Sequence, residues 1–476
     1  MAGELELKSE SRLPQINDHY DVVIVGAGIT GAGIFRDLAL HGLKVLIIDK
    51  KDFSSQTSQS SSKMLHGGIR YLENFDFALV WEALHEKNFW IKRAPHLCYE
   101  DSFYLPIFKN SARPLWMVKI GLWLYDFLSS FKNSPHRILD REQTLNQIPG
   151  LKSKGLSGAG VYYDAVMDDV KITLEVLYDG LQEKGCEALN YVSMTSFENN
   201  GDTNTLSLRD EITGDTKTVT CRETVFATGP FTDRLMAELG SIPWTPKLLP
   251  SKGSHLWLKK EKIGINHPMV LNDKDGRVIF VIPHEEATLV GTTEVSSDSD
   301  FFDMKISDGE IDYLLKHLND YFPSANISKD DIISSFAGIR PLVMEGDSSD
   351  KGKTSRVHKT FQPYHNLHVI LGGKYTTFRV MGQDISRSIC STFKISYNSS
   401  LSMSALRKRS IVSAFQERRR VLSRERVERI IKEEYVRTKD DLMTRRLGLQ
   451  NTGGWKFEPS LDQFLSDYKD LLEELQ

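Results

Sequence analysis

The sequence predicts an α/β protein assembled from interleaved segments and closed by a small C-terminal helical unit. Three observations predict it. A strand-helix-strand pattern with a Gly-rich turn opens the chain, and short buried-type strands recur near residues 223 and 366. Residues 241–334 are rich in strands alternating at period two. Ser404 to Gln476 is helical in pattern. At 476 residues the chain exceeds one ordinary core, since single cores stop growing at roughly 250–300 residues.

Composition narrows the class. Hydrophobic residues make up 40% and charged residues 26%, which excludes disordered, collagen-like and polytopic membrane chains. The 60 basic and 64 acidic side chains leave a net charge of -4, so nucleic acid is not an expected partner. The four cysteines, Cys98, Cys186, Cys221 and Cys390, are far apart and form no CxxC pair. A reducing compartment is expected, with neither a disulfide framework nor a metal site. Met1 to Tyr20 lacks the apolar stretch of a secretory signal.

The first element is the strand Tyr20 to Val25, YDVVIV, apolar and β-branched as in a buried parallel strand. Gly26-Ala-Gly28-Ile-Thr-Gly31 follows, then a helix from Ala32 to His41 and a second strand from Lys44 to Ile48, ending at Asp49. In such a Rossmann-like unit the first glycine permits the tight turn, the second lets the backbone approach a pyrophosphate, and the third allows helix and strand to pack closely. The pyrophosphate sits at the helix N-terminus, where N–H groups and the dipole favour negative charge. Asp49 lies 18 residues after Gly31, placed to accept from ribose hydroxyls.

The fingerprint alone does not choose between NAD and FAD. Two later features favour FAD. Glu223 to Gly229, ETVFATG, is a strand ending in a Thr228-Gly229 turn that can cover a dinucleotide held by the first unit. Asn366 to Leu371 is another strand, followed by Gly372-Gly373-Lys374-Tyr375-Thr376-Thr377 and a helix, whose N-terminal dipole would stabilise an anionic reduced flavin. A second GxGxxG, and with it a nicotinamide-binding domain, is not found.

After Asp49 the chain runs through SSQTSQSSSKMLHGGIRYLE. Read bare, this is a flexible Ser-rich linker. Its place between a strand and an apolar helix suits contact with phosphate and flavin instead. The run from Thr57 and Ser58 through Ser62, His66, Gly67, Gly68, Arg70 and Tyr71 resembles the signature loop of FAD-dependent, quinone-linked glycerol-3-phosphate dehydrogenases, whose fold is similar to that of D-amino-acid oxidase. The resemblance extends to Trp116–Asp126, Tyr162–Asp169, Ala227–Pro230, Lys252–His255, Phe280–Pro283, Gly291–Thr293, Gly338–Pro341 and Gly372–Lys374, in family order.

That resemblance implies an FAD-binding unit built from residues 18–95, 150–240 and 335–395, following an N-terminal tail, 1–17. It implies an α+β substrate domain from 96–149 and 241–334, with 396–476 as the helical domain. It implies FAD contacts at Gly26, Gly28, Gly31, Asp49, Thr57, Ser58, Ser62, His66, Gly67, Gly68, Thr228, Gly229, Gly373, Lys374, Thr376 and Thr377. The substrate pocket would use Arg70, Tyr71, His255, Arg340 and Lys374. The implied activity is oxidation of glycerol 3-phosphate to dihydroxyacetone phosphate, with electrons passed to a membrane quinone by an enzyme peripheral to the cytoplasmic face of the membrane. Oxygen as acceptor, another oxidase of the same fold and a flavin-dependent sensor stand as alternatives.

The chemistry needs a cationic clamp for phosphate, which the planar fork of arginine suits. Arg70 and Arg340 are candidates, with Lys374 as a point charge. His255 is the first candidate for the base, because histidine ordinarily titrates near 6.5. Lys374 is the alternative, and Arg340 can stabilise a developing alkoxide.

Two stretches admit more than one reading. Leu115 to Phe131, LWMVKIGLWLYDFLSSF, is either a buried core helix, with Lys119, Asp126, Ser129 and Ser130 on its one polar stripe, or a segment lying in a membrane interface flanked by Lys109, Arg113, Lys132, His136 and Arg137. The basic residues from Arg407 to Arg429, interspersed with Glu417, Glu425 and Glu428, read as a solvated helix face. Asp440 to Arg446 resembles the family's C-terminal cap, in a region short enough to leave a homodimer open. Asn272 to Gly276 reads as a hairpin turn rather than a calcium loop, since no glutamate stands at the bidentate offset.

Overall fold

The computed structural model describes residues 10–272, 277–285, 287–296, 301–344, 357–412 and 423–448, together with Ser466 and Lys469. Two sheets organise it. The first has eight strands, in the order Lys359–Tyr364, Leu367–Leu371, Thr216–Phe226, His19–Val25, Val45–Asp49 and Glu187–Asn190, with the antiparallel pair Val192–Asn199 and Asn204–Asp210 joined to Thr216–Phe226. The four strands from Leu367–Leu371 to Val45–Asp49 run parallel, so their C-terminal ends share one edge. Helices Ile29–Leu40, Asp169–Gly180 and Phe378–Thr392 supply apolar residues to the cluster on one face. The cluster on the other face takes Phe197, Leu206, Leu208 and Val219 from the antiparallel arm. Helices Ile29–Leu40 and Phe378–Thr392 cross at glycines: a Cβ on Gly382 would lie 3.1 Å from the Gly33 backbone.

The second sheet has ten strands. Its main path runs from Val295–Ser296 through Leu248–Lys259, Ala287–Gly291, Val278–Pro283, Met269–Asn272, Cys98–Phe108 and Leu156–Met167 to Met64–Leu65, and the long strand Ile332–Val343 pairs with Leu248–Lys259. Helix Asp308–Tyr321 packs apolar residues on one face. Helices Phe77–Arg93 and Leu115–Leu128 cover the other with Val80, Leu84, Val118 and Leu122.

The interleaving differs from the expected bounds in two places. Leu156–Met167, expected in the 150–240 segment of the first unit, pairs along its length with Cys98–Phe108 in the second sheet. It is buried almost throughout, so it carries no period-two signature of which sheet it joins. Ile332–Val343 crosses the bound expected at 335 and stays in the second sheet, because its partner lies some 80 residues earlier in the chain.

Leu115–Leu128 is not a buried core helix. Val118, Leu122, Tyr125 and Asp126 face inward, while Trp116 (63% exposed), Ile120 (59%), Trp123 (55%) and Phe127 (54%) face solvent. The expected polar stripe also breaks: Asp126 is buried and accepts from the backbone and ring of His136. No helix among the described residues is long and apolar enough to cross a membrane.

The C-terminal unit contains helix Arg424–Glu433 and a single turn, Asp441–Arg446. Arg424 and Arg429 form i,i+4 pairs with Glu428 and Glu433 on an exposed face. Glu417 and Arg418 to Arg420 lie outside the described residues, as do most of 449–476 and positions 273–276 of the expected hairpin turn. The strands flanking that turn pair antiparallel. Arg445 and Arg446, by contrast, are buried against Asp52, with Arg446 Nη2 2.8 Å from Asp52 Oδ1, and Arg437 is buried against Asp210 at 2.8 Å. The Asp52 pairs tie the C-terminal unit to the loop following the second strand, and the Asp210 pair ties it to the end of strand Asn204–Asp210.

Candidate active site

A cavity of about 700 Å³ runs from the C-terminal edge of the parallel strands to the second sheet. Gly26 closes the first strand with φ +104°, and a Cβ there would come within 2.5 Å of the Ala227 carbonyl oxygen. Gly28 precedes helix Ile29–Leu40, whose first amide, on Ile29, donates to Ser58 Oγ at 2.9 Å. Gly28, Ile29 and Thr30 line the cavity, which puts the positive end of the helix dipole at its wall. Asp49, also at the wall, accepts from the backbone N–H groups of Ala27 (2.8 Å) and Lys51 (3.0 Å), and burial pushes its carboxyl up to about 6. A backbone cradle shut to side chains, a helix N-terminus and a carboxylate at the end of the second strand fit a dinucleotide.

The Ser-rich loop is held rather than free. Thr57 Oγ1 donates to the Ile339 carbonyl at 2.8 Å, and Gly338 leaves no room for a Cβ beside Ser60. Ser61 Oγ and Lys63 Nζ both reach Asp169, each at 2.7 Å. Ser62 Oγ lies 2.9 Å from His255 Nε2. The loop therefore spans from the cradle to the second sheet.

His255 sits on Leu248–Lys259 between two neighbours set by register. Gly291 opposite it has no side chain, and a Cβ there would lie 2.3 Å from the ring; on the other side Phe336 stacks at 4.9 Å. Nδ1 is buried with no hydrogen-bond partner among the described residues. Burial, and then the charges of Arg340 and Lys63, push the imidazole down to about 3. The pocket thus lowers the ring's basicity from the intrinsic value near 6.5 and favours the neutral imidazole.

Arg340 is half-buried on Ile332–Val343. Its Nη2 donates to Thr292 Oγ1 at 2.8 Å, and its fork lies 3.4 Å from the Thr293 carbonyl. Gly253 makes space for it, since a Cβ there would come within 2.4 Å of Nη2. Lys374 follows two glycines in left-handed conformation, Gly372 (φ +73°) and Gly373 (φ +79°), and its Nζ stands 3.8 Å from the centre of the Tyr71 ring. His255, Arg340, Lys374 and Tyr71 all line the same cavity.

The other expected residues divide. Thr57, Ser58, Ser62, His66, Thr228, Gly229 and Gly373 line the cavity. Gly31 does not; it packs beneath it, where a Cβ would collide with Gly26. Gly67 and Gly68 lie behind the wall, Gly67 donating its N–H to Tyr125 Oη at 3.0 Å. Thr376 and Thr377 are buried off the cavity, Thr376 Oγ1 meeting the His66 amide at 3.3 Å. Arg70 is exposed on the turn Ile69–Asn74 and is not among the lining residues, so the structure does not bring it to Arg340 and Lys374.

Sequence reasoning missed the far end of the cavity. Val192 to Thr195 and Arg209 come from the antiparallel arm, and Phe302 stacks on Phe231 at 4.2 Å. No local motif marks these positions. Thr292 and Thr293 were visible only as part of a Gly-Thr-Thr segment, with no role attached.

The comparisons with known proteins follow the same lines. The family model described as DAO, FAD dependent oxidoreductase, matches residues 21–382. An aerobic glycerol-3-phosphate dehydrogenase of Staphylococcus aureus (strain MRSA252) is 34% identical over 386 residues, covering 80% of this chain and 69% of that one. Among solved structures, the glycerol-3-phosphate dehydrogenase from Bacillus halodurans complexed with FAD superposes with a TM-score of 0.76 at 23% identity, over 99% of this chain and 93% of that one. The L-alpha-glycerophosphate oxidase from Mycoplasma pneumoniae with FAD bound gives 0.63 at 16% identity, over 78% of this chain and 95% of that one.

Proposed function

We propose a reaction for this chain, which belongs to the DAO family of FAD dependent oxidoreductases and has FAD as its cofactor: it oxidises sn-glycerol 3-phosphate to dihydroxyacetone phosphate and passes the electrons to a membrane quinone. The observation that carries the reading is the convergence of His255, Arg340, Lys374 and Tyr71 in the cavity that begins at the dinucleotide cradle.

FAD, when bound, supplies a two-electron acceptor for the hydrogen on C2 of the alcohol. Everything else falls to side chains. Arg340 presents a planar fork that matches phosphate oxygens, and Lys374 adds a point charge. His255 is the candidate acceptor of the hydroxyl proton. Its basicity is low first because the ring is buried and then because two cations stand near it; a phosphate dianion next to Arg340 offsets the second effect, so the base strengthens as the substrate binds. Ser62 and Phe336 hold the ring while that happens.

The quinone reading draws support from the exposed aromatic face of Leu115–Leu128, extended by Phe75 (76% exposed) and Trp81 (51%). Aromatic side chains beside Lys109, Lys119, Lys132 and Arg137 suit an anionic membrane interface, where a quinone is dissolved. Anaerobic titration of the yellow protein with glycerol 3-phosphate tests the substrate: the flavin band should bleach, and an unchanged band removes the reading. Stopped-flow reoxidation by oxygen against a short-chain quinone tests the acceptor, and faster reoxidation by oxygen would make the enzyme an oxidase.

A further inference from the structure

We propose that Glu310 is a positioning residue of the reaction, acting from behind the second sheet to fix both His255 and Arg340. Glu310 lies in the first turn of helix Asp308–Tyr321, capped by Ser307, and it is buried. A capping-box glutamate ordinarily satisfies only its own helix. This one does more. Its Oε1 accepts from Ser254 Oγ and from Thr293 Oγ1, each at 2.7 Å. Its Oε2 meets Lys252 Nζ at 2.7 Å as well as Ser307.

Those partners are the immediate neighbours of the cavity residues. Ser254 precedes His255 on the strand, so its side chain and the imidazole leave opposite faces. Thr293 supplies the carbonyl beneath the Arg340 fork, and Thr292 Oγ1 accepts from the same guanidinium. The Thr292–Thr293 turn is fastened back onto the strand by Ser254 N–H donating to Thr293 Oγ1 (3.0 Å) and Thr293 N–H to the Ser254 carbonyl (3.3 Å). Glu310 joins Ser254 and Thr293 from below. Burial pushes its carboxyl up, but hydrogen bonds from Lys252, Ser307, Thr293 and Ser254 outweigh it and hold it down to about 2. A permanent anion in this place keeps both hydroxyls as donors toward it, which leaves the Thr293 carbonyl directed at Arg340.

The inference rests on the proposed reaction, but its test need not. Glu310→Gln keeps the shape and removes the charge. In the FAD-loaded protein flavin content should stay close to that of the parent, while the melting midpoint falls by several degrees because Lys252 loses its buried partner. Affinity for inorganic phosphate, read as a perturbation of the flavin absorbance, should fall about tenfold because the Arg340 fork is no longer held. With glycerol 3-phosphate, kcat should fall about a hundredfold, more than KM rises, because a base displaced by a fraction of an ångström costs the chemical step most. Thr293→Val should reproduce both losses in smaller measure. Phosphate affinity in Glu310→Gln within twofold of the parent overturns the role of Glu310. So does a loss of activity that merely follows loss of flavin or of folded protein. If the parent itself fails to bleach with glycerol 3-phosphate, the substrate reading fails alone, and the phosphate titration still decides for or against Glu310.

Discussion

The carbonyl oxygen of Gly26 stands 1.9 Å from where a β-carbon on Gly31 would have to be. Both groups are backbone, so neither can swing aside. Gly31→Ala should therefore force the helix off the strand and give little soluble protein, and what is recovered should be colourless. Absorbance near the flavin band, measured against protein concentration, checks it. Gly28→Val is milder for folding, since its new side chain meets Ser58 Oγ at 2.9 Å, but it should also abolish flavin binding by filling the pyrophosphate path.

Arg340→Ala should leave the protein yellow and lower kcat/KM for glycerol 3-phosphate by about 10²–10³, the usual cost of removing one electrostatic contact to reacting charge. Arg340→Lys should recover little, because a point charge cannot make the bidentate contact. Steady-state kinetics beside flavin stoichiometry separates a damaged pocket from a lost cofactor.

The imidazole of His255 makes an acid-side prediction. Its ordinary value of 6.5 is the unfolded one, and the folded value is pushed down to about 3. Below 6.5 the unfolded chain takes up a proton that the folded chain refuses, so stability falls as pH drops from 6.5 towards 3. The loss approaches about 1.4 kcal/mol per pH unit well below 6.5. His284 adds in the same sense, while Asp49 and Asp164, both pushed up to about 6 by burial, act oppositely. Comparing His255→Gln with the parent isolates one group: the stability difference between them should shift steadily in favour of the variant from pH 6.5 to 4.5. Urea midpoints at several pH values read it, and parallel curves would contradict it.

Replacing Trp116, Trp123 and Phe127 together by Ser should cut co-sedimentation with anionic phosphatidylglycerol vesicles at least tenfold. The melting temperature should hardly move, since these side chains are more than half exposed. Unchanged vesicle binding would assign the face to something other than lipid.

Much of this was legible in the chain. The opening strand, turn, helix and second strand lie within a residue or a few of where periodicity and glycine spacing put them, because each is specified by its own neighbours. The turn after Leu367–Leu371 was equally readable, two glycines being needed for two left-handed residues. What escaped was non-local. Leu156–Met167 is buried on both faces and shows no alternation that would assign it to either sheet. Arg70 carried the right charge next to Tyr71, but the turn Ile69–Asn74 points it to solvent. The pairing of Asp52 with Arg445 and Arg446 joins residues nearly 400 apart, and nothing local announces it. The fall in His255 basicity comes from burial and then from Arg340 and Lys63, all of which act on the ring only once the tertiary structure has formed.

The order of strands in the first sheet bears on how the protein is made. His19–Val25 is flanked by Val45–Asp49 and by Thr216–Phe226, which in turn needs Leu367–Leu371 beside it. During synthesis the first half of the nucleotide cradle leaves the ribosome long before its other wall exists, and two apolar strand edges wait unpartnered in between. The coenzyme can lock in only after most of the polypeptide has emerged.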